Sequence, residues 1–237
     1  MKSFIFRFLA ASLPNGLPLP ILRGPARGYF WLVGAAPGPA KGLSVLWNRS
    51  EPTQLQEGLR LAQSAQCCFD IGAHTGLYSM VFAKNCPKVF AFEPFPRNLA
   101  WLERTLNWNR VKNVTVLPWA ISSQTGPTLF NVGSHSSLGR LGTDGALPVF
   151  SISLKDFLQR YSMHPDVMKI DVEGEELELL KGGSEFLRNR KPALLLSVHS
   201  SELRQSCLGL LKGFGYSRFK PLDTSDPNQA NEFCIEA

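Results

Sequence analysis

The chain has 237 residues, of which 44% are hydrophobic and 19% charged, with 25 basic and 19 acidic residues and a formal net charge of +6. That length accommodates one sizeable α/β domain with its own core, and the composition excludes a disordered chain and a multi-span membrane protein. The basic residues read as scattered; the one short cluster, Arg188–Asn189–Arg190–Lys191, is a solvated helix end rather than a nucleic-acid patch, so no nucleic-acid partner is expected.

In chain order, residues 1–55 form a Pro-, Gly- and aromatic-rich segment, with Leu13–Pro14–Asn15–Gly16–Leu17–Pro18 and Gly28–Tyr29–Phe30–Trp31. Such a stretch cannot easily build a core of its own, and it is expected to pack on the main domain as an arm or lid. Its first residues, Met1 to Ser12, are apolar, but Arg7 interrupts the run and Pro14, Pro18 and Pro20 follow. Neither a secretion signal nor an integral membrane segment is expected. Five cysteines, with no Cys-x-x-Cys pair and no Cys/His ligand spacing, argue against a disulfide framework or a zinc site and suit a reducing, cytoplasmic location.

Residues 56–237 are the expected main domain. Residues 54–65 read as an amphipathic helix carrying Leu55, Leu59 and Leu61. Strand and helix then alternate: Cys67–Ile71 strand, His74–Lys84 helix, Val89–Phe92 strand, Pro96–Asn109 helix, Val114–Leu117 strand. Residues 122–148 are polar and loop-like, with room for short strands. Beyond them the pattern predicts a helix over Leu154–Tyr161, a strand over Val167–Ile170, a helix over Glu175–Lys181 and a strand over Ala193–Val198. A helix over Leu203–Phe214 and two short strands, at Tyr216–Pro221 and Phe233–Ile235, close the chain. Alternation of this kind implies a mostly parallel sheet with helices on both faces.

Asp70–Ile71–Gly72–Ala73–His74–Thr75–Gly76 follows the first buried strand and opens a helix. Gly72 lets the chain turn at the strand end, and Gly76 permits a close approach of chain or ligand. The glycines stand at 72 and 76 only, without the G-x-G-x-x-G of a dinucleotide site and without a Walker lysine. Taken alone, the pattern also fits a plain strand–turn–helix. The second strand sharpens it: Glu93, followed by Pro94, stands about 20 residues after the loop, where an acid meets ribose hydroxyls.

Three segments together resemble the FkbM-type methyltransferases, over roughly residues 66–200: Phe69 to Ser79, Phe90–Glu93–Pro94 with Asn98, and Met168–Lys169–Ile170–Asp171–Val172–Glu173–Gly174 running on to Gly182. The resemblance implies a Rossmann-like class I methyltransferase fold, an α/β seven-stranded sheet with one antiparallel strand. It also implies S-adenosylmethionine as cofactor, and a hydroxyl on a small molecule or glycan as acceptor. Cofactor contacts are implied at Asp70, Gly72 and Glu93, with a site centred on Asp171–Gly174. Ala73, His74, Gly76 and Pro94 fall on the same two loops. Trp119 and Ala120 sit where the adenine ring packs in this fold, although Trp119 also reads as core. Two positions depart from the family pattern: His74 stands where Asn is common, and Ser197 where many members have an acid.

Methyl transfer to an alcohol needs alignment and removal of a proton. Asp171, Glu173, Lys169 and His199 are the candidate catalytic residues. Asp171 and Glu173 alternate on a strand end, which predicts that they point apart. Lys169 shares a face with Asp171. His199 is the candidate base, since imidazole exchanges protons near neutrality, though a lone His after an apolar strand is also a common structural residue. His135 lies in the expected acceptor loop, 131–145. Glu175 and Glu176 read as first-turn acids complementing a helix dipole, and Gly182–Gly183 as a helix stop. Asp171 and Glu173 are acids of the kind that bind magnesium in some catechol-type enzymes, but no second acidic cluster stands at suitable spacing, so no metal is expected.

Overall fold

Two strands are buried along their whole length and must lie inside the sheet: β3 (Cys67–Ile71) and β10 (Val167–Ile170). The computed structural model describes residues 10, 12–132, 140–141 and 145–237. Before β3 come β1 (Pro18–Pro20), β2 (Phe30–Leu32) and α1 (Pro52–Ala62). Between β3 and β10 lie α2 (Leu77–Ala83), β4 (Lys88–Phe92), α3 (Pro96–Trp108), β5 (Val114–Leu117) and β6 (Trp119–Ser122). They are followed by β7 (Gly126–Asn131), β8 (Arg140–Leu141), β9 (Leu147–Ser153) and α4 (Leu154–Tyr161). After β10 come α5 (Glu176–Gly182), α6 (Ser184–Arg190), β11 (Ala193–Ser197), α7 (Ser201–Gly213), β12 (Arg218–Pro221) and β13 (Glu232–Glu236).

The main sheet has seven strands in the order β12-β13-β11-β10-β3-β4-β5, and β13 runs antiparallel to both of its neighbours. From β3 the chain goes outward on one side to β4, while β10 pairs with its other edge. The loops that follow β3 and β10 therefore diverge, leaving a crevice at the carboxyl ends of the strands. The parallel register sets Lys169 opposite Asp70 and Ile170 opposite Ile71, which brings Gly72 and Asp171 side by side above the sheet.

Each face of the sheet is covered. On one face Met80, Val81, Phe82 and Leu102 pack with Ile21, Trp31 and Leu32 of the N-terminal segment, so that segment shares the main core. On the other, Phe157 of α4 meets Phe69 and Phe92 edge-on, with ring centroids 5.5 Å and 5.0 Å apart.

One region differs from the pattern reading: residues 119–153 carry a full second sheet, β6-β9-β7-β8, where the sequence reads 122–148 as loop-like with room for short strands. Gly126–Pro127 masks the strand start, but Leu129 and Phe130 pair across to Pro148 and Leu147. α5 ends at Gly182 with Gly183 as its cap, as the glycine pair suggests, and α6 starts at once from Ser184. A Cβ on Gly182 would lie 2.8 Å from the Ser122 carbonyl oxygen, so this glycine permits close approach of α5 to β6.

Candidate active site

A cavity of about 550 Å³ opens at the crevice between β3 and β10, within the size range of small-molecule sites. One end is built by the loop after β3. Gly72 has φ +76°, and its N–H and that of Ala73 both donate to the Phe92 carbonyl, at 3.0 and 2.9 Å. A Cβ on Gly72 would fall 1.8 Å from the Asp171 carbonyl oxygen, so the two strand ends can meet only at a glycine. His74 adopts a left-handed conformation (φ 49°), which turns its N–H onto Glu93 Oε2 at 2.8 Å. Glu93 is buried, and its Oε1 accepts from the Phe95 N–H at 2.9 Å. Burial pushes the Glu93 carboxyl up to about 7, against the lowering effect of those donors. Burial, followed by the nearby Lys169 charge, lowers the His74 imidazole to about 4, so it is neutral.

The loop after β10, beside Gly72, is acidic. Lys169 is buried, and its ammonium donates to the Gly72 carbonyl at 2.7 Å and pairs with Asp171 Oδ2 at 3.2 Å. Burial alone would lower its pKa; Asp171, Asp70 and Glu51 reverse this and keep it charged. His199 Nε2 lies 3.2 Å from Asp171 Oδ1 and 3.5 Å from Glu173 Oε2. Asp171 and Glu173 therefore converge instead of pointing apart. Glu173 is left-handed (φ 53°), which breaks strand alternation and folds its side chain back. Burial raises its carboxyl to about 6, with His199 opposing the shift. These three side chains place one donor atom each within 4.8 Å of one another, a set able to hold a metal ion, with His199 adding to the two strand-end acids a third ligand that their spacing in sequence does not supply.

Ala73, Pro94, Trp119 and Ala120 stand in the cavity wall with Gly72, His74 and Glu93. Asp70 and Gly76 do not. Asp70 is fully buried behind the loop, where Ser79 Oγ donates to it at 2.6 Å. Gly76 has φ +93° at the start of α2 and abuts the Leu102 side chain, so it serves helix packing. His135 lies outside the described residues.

Four acids gain roles that pattern alone does not reveal. Glu176 is fully buried, and its carboxylate accepts from the N–H groups of Val172 and Gly174, tying down the loop after β10. Glu175 accepts from Ser122 Oγ at 2.8 Å and faces the cavity. Neither is a simple solvated dipole partner. Glu51 accepts from Tyr78 Oη at 2.7 Å, linking the N-terminal segment to α2 at the cavity wall. Glu232 sits directly across from Ser197 in the β11–β13 register; Ser197 Oγ donates to it at 2.8 Å, and Glu232 lines the cavity. An acid therefore stands at this strand end, delivered by the neighbouring antiparallel strand. Burial raises its carboxyl to about 8.

The residues present fit S-adenosylmethionine. Gly72 and Ala73 give room where a side chain would close the loop, and Glu93 offers carboxylate oxygens suited to ribose hydroxyls. Trp119, Ala120 and Ile121 supply an apolar wall. His74 Nε2 is buried there with no hydrogen-bond partner among the described residues, a polar atom that a ligand group would satisfy. The acidic loop suits a cationic sulfonium.

This fold and loop are those of class I methyltransferases. The chain matches the family described as methyltransferase FkbM domain over residues 70–218, more than half its length. It belongs to the FkbM-type family, whose cofactor is S-adenosylmethionine. It is 29% identical over 164 residues to hexuronic acid methyltransferase AglP of Haloferax volcanii, covering 65% of this chain and 67% of that protein. Among solved structures, methyltransferase FkbM from Methylobacillus flagellatus superposes with TM-score 0.55 at 19% identity, covering 73% of this chain and 43% of that one. A putative S-adenosylmethionine-dependent methyltransferase from Streptococcus mutans superposes with TM-score 0.50 at 12% identity, covering 79% and 48%. The chain thus spans less than half the length of these two solved proteins, and the likeness to them is one of fold. Among the described residues, no helix is long and apolar enough to cross a membrane.

Proposed function

We propose that this protein transfers a methyl group from S-adenosylmethionine to a hydroxyl of a small molecule or glycan. The observation that carries the reading is the His199–Asp171–Glu173 contact in the wall of the cavity that Glu93 also lines. When bound, the cofactor supplies an electrophilic methyl on a sulfonium. Gly72, Ala73 and Glu93 would hold it, and Trp119, Ala120 and Ile121 would exclude water from it. With Nε2–H donated to Asp171 Oδ1, which orients the ring, His199 would take the acceptor's proton at its other nitrogen, Nδ1. Lys169 would fix Asp171 without touching the acceptor. We read residues 1–55 as an arm that closes the acceptor side, supported by Trp31, Val45 and Glu51 in the cavity wall. Five free, buried cysteines suit a reducing compartment such as the cytoplasm.

The substrate in the name of the Haloferax relative makes hexuronic acid glycosides the first acceptors to try, beside neutral sugars. The test is S-adenosylhomocysteine release across such a panel. His199→Ala and Asp171→Asn are expected to lower turnover by about 100-fold or more with cofactor affinity little changed. Full activity in both variants overturns the assignment of the base; cofactor binding without turnover on any hydroxyl points to a binding module that no longer catalyses.

A further inference from the structure

The net charge is not spread through the molecule, contrary to the scattered pattern that a linear reading suggests. Six of the 25 basic residues, and none of the 19 acidic ones, lie in the first fifty positions. The rest of the chain holds nineteen of each sign, so the whole excess of +6 belongs to this segment. Charge asymmetry of this kind marks an electrostatic partner.

The segment is fixed against the carboxyl ends of α2 and α3. The Phe30 N–H donates to Asn109 Oδ1 at 2.7 Å, and Asn109 Nδ2 donates back to the Phe30 carbonyl at 2.9 Å. Lys84 Nζ donates to the Arg27 carbonyl and lies 5.3 Å from the Tyr29 ring centroid. Leu22 N–H donates to the Leu46 carbonyl, which sets Leu22 near Trp47. Four large apolar side chains on this surface stand in solvent: Leu22 at 50%, Phe30 at 40%, Trp47 at 37% and Trp108 at 54% exposure. Around them Arg23, Arg27, Lys84, Arg110 and Lys112 are exposed, and among the described residues none of these forms an ion pair. Between residues 84 and 112 the acids are Glu93, buried in the cavity, and Glu103.

From this surface we infer that the protein docks on an anionic lipid bilayer, through the basic face of residues 22–49 and the Trp108–Lys112 end of α3. Basic side chains interleaved with Trp, Phe and Leu are the composition of a surface lying in the headgroup region, where cations meet lipid phosphates and apolar side chains enter the acyl boundary. A nucleic acid would meet the same cations but leave Leu22 in water. The same segment lends Trp31 and Val45 to the cavity wall, so docking sets the cavity close to the bilayer surface.

The test is co-sedimentation of the full chain with vesicles of phosphatidylcholine alone and of equal parts phosphatidylcholine and phosphatidylglycerol, at low and high salt. Binding is expected to the anionic vesicles only and to weaken with salt. Arg23→Gln with Arg27→Gln should lower partitioning about 30-fold, at about 1 kcal/mol for each charge, and Trp108→Ser should lower it severalfold. Lys155→Gln with Arg160→Gln, on α4, should bind as the parent does. Circular dichroism and adenosylmethionine titration check that each variant is folded. No partitioning to anionic vesicles overturns the inference. So does an equal loss in the α4 variant, or binding of single-stranded RNA or duplex DNA by these side chains in place of vesicles.

Discussion

Glu93→Gln preserves volume but replaces one acceptor oxygen with a donor group. Glu93 is 4% exposed, and each of its oxygens already accepts a main-chain N–H, from His74 at 2.8 Å and from Phe95 at 2.9 Å. The amide oxygen can serve one of these donors; the other then faces an NH₂ group. A buried donor left unmet costs about 1–3 kcal/mol. Part of this is offset above neutral pH, because burial already disfavours the ionised carboxyl, whose pKa is pushed up to about 7. The cofactor loses more than the fold does. Hydrogen bonds to a charged acceptor contribute about 1.5–3 kcal/mol each, so losing the ribose contacts should weaken S-adenosylmethionine binding by about 100-fold. Calorimetry at about pH 8.5, where Glu93 is ionised, measures the affinity; urea denaturation measures stability. A folded variant whose affinity stays within about threefold of the parent refutes the placing of the ribose at Glu93.

Gly72→Ala should destabilise the chain by about 3 kcal/mol, through a positive φ and a clash with backbone that cannot rotate away. Gly76→Ala meets only the end of Leu102 and should cost about half as much; equal urea midpoints for the two would contradict this. Lys169→Met leaves Asp70 and Asp171 without their shared cation and should cost about 3–5 kcal/mol, with Asp171→Asn recovering part of the loss in the double variant. A loss under about 1 kcal/mol would mean that the ammonium does not hold these strand ends. Glu173, Glu93 and Glu232 have folded pKa values raised by burial to about 6, 7 and 8. Folding therefore favours their protonated forms. The stability they contribute is present below the unfolded carboxylate value and is lost as pH rises through about 6 to 8. Urea midpoints of the free protein should fall across that window, and Glu232→Gln should flatten its upper part; a flat parent profile would contradict the shifts.

Much of the scaffold was legible because it rests on local rules. β3, β5, α4 and β10 have the bounds that hydrophobic pattern and turn residues suggest. The loop after β3 and Glu93 share one wall because parallel pairing of β3 with β4 places successive strand ends side by side. What escaped depends on long-range register and on backbone exceptions. Glu232 is an ordinary acid near the C-terminus until β13 pairs antiparallel to β11 and sets it across from Ser197. Glu173 looks misdirected by strand alternation, and only its left-handed backbone brings it to His199. Glu176 reads as a dipole partner because sequence does not show that the loop after β10 has N–H groups for it to accept. Gly76 illustrates the reverse: a motif glycine that looks like ligand space is needed for Leu102.

The central claim is that the Gly72–Glu93 end of the cavity is an S-adenosylmethionine site. Calorimetric titration of S-adenosylmethionine, S-adenosylhomocysteine and NAD into the parent and Glu93→Gln tests it most directly. Saturable one-to-one binding of the two adenosyl ligands, strongly weakened in Glu93→Gln, with none for NAD, is the expected result. Binding of NAD without S-adenosylmethionine would contradict the account.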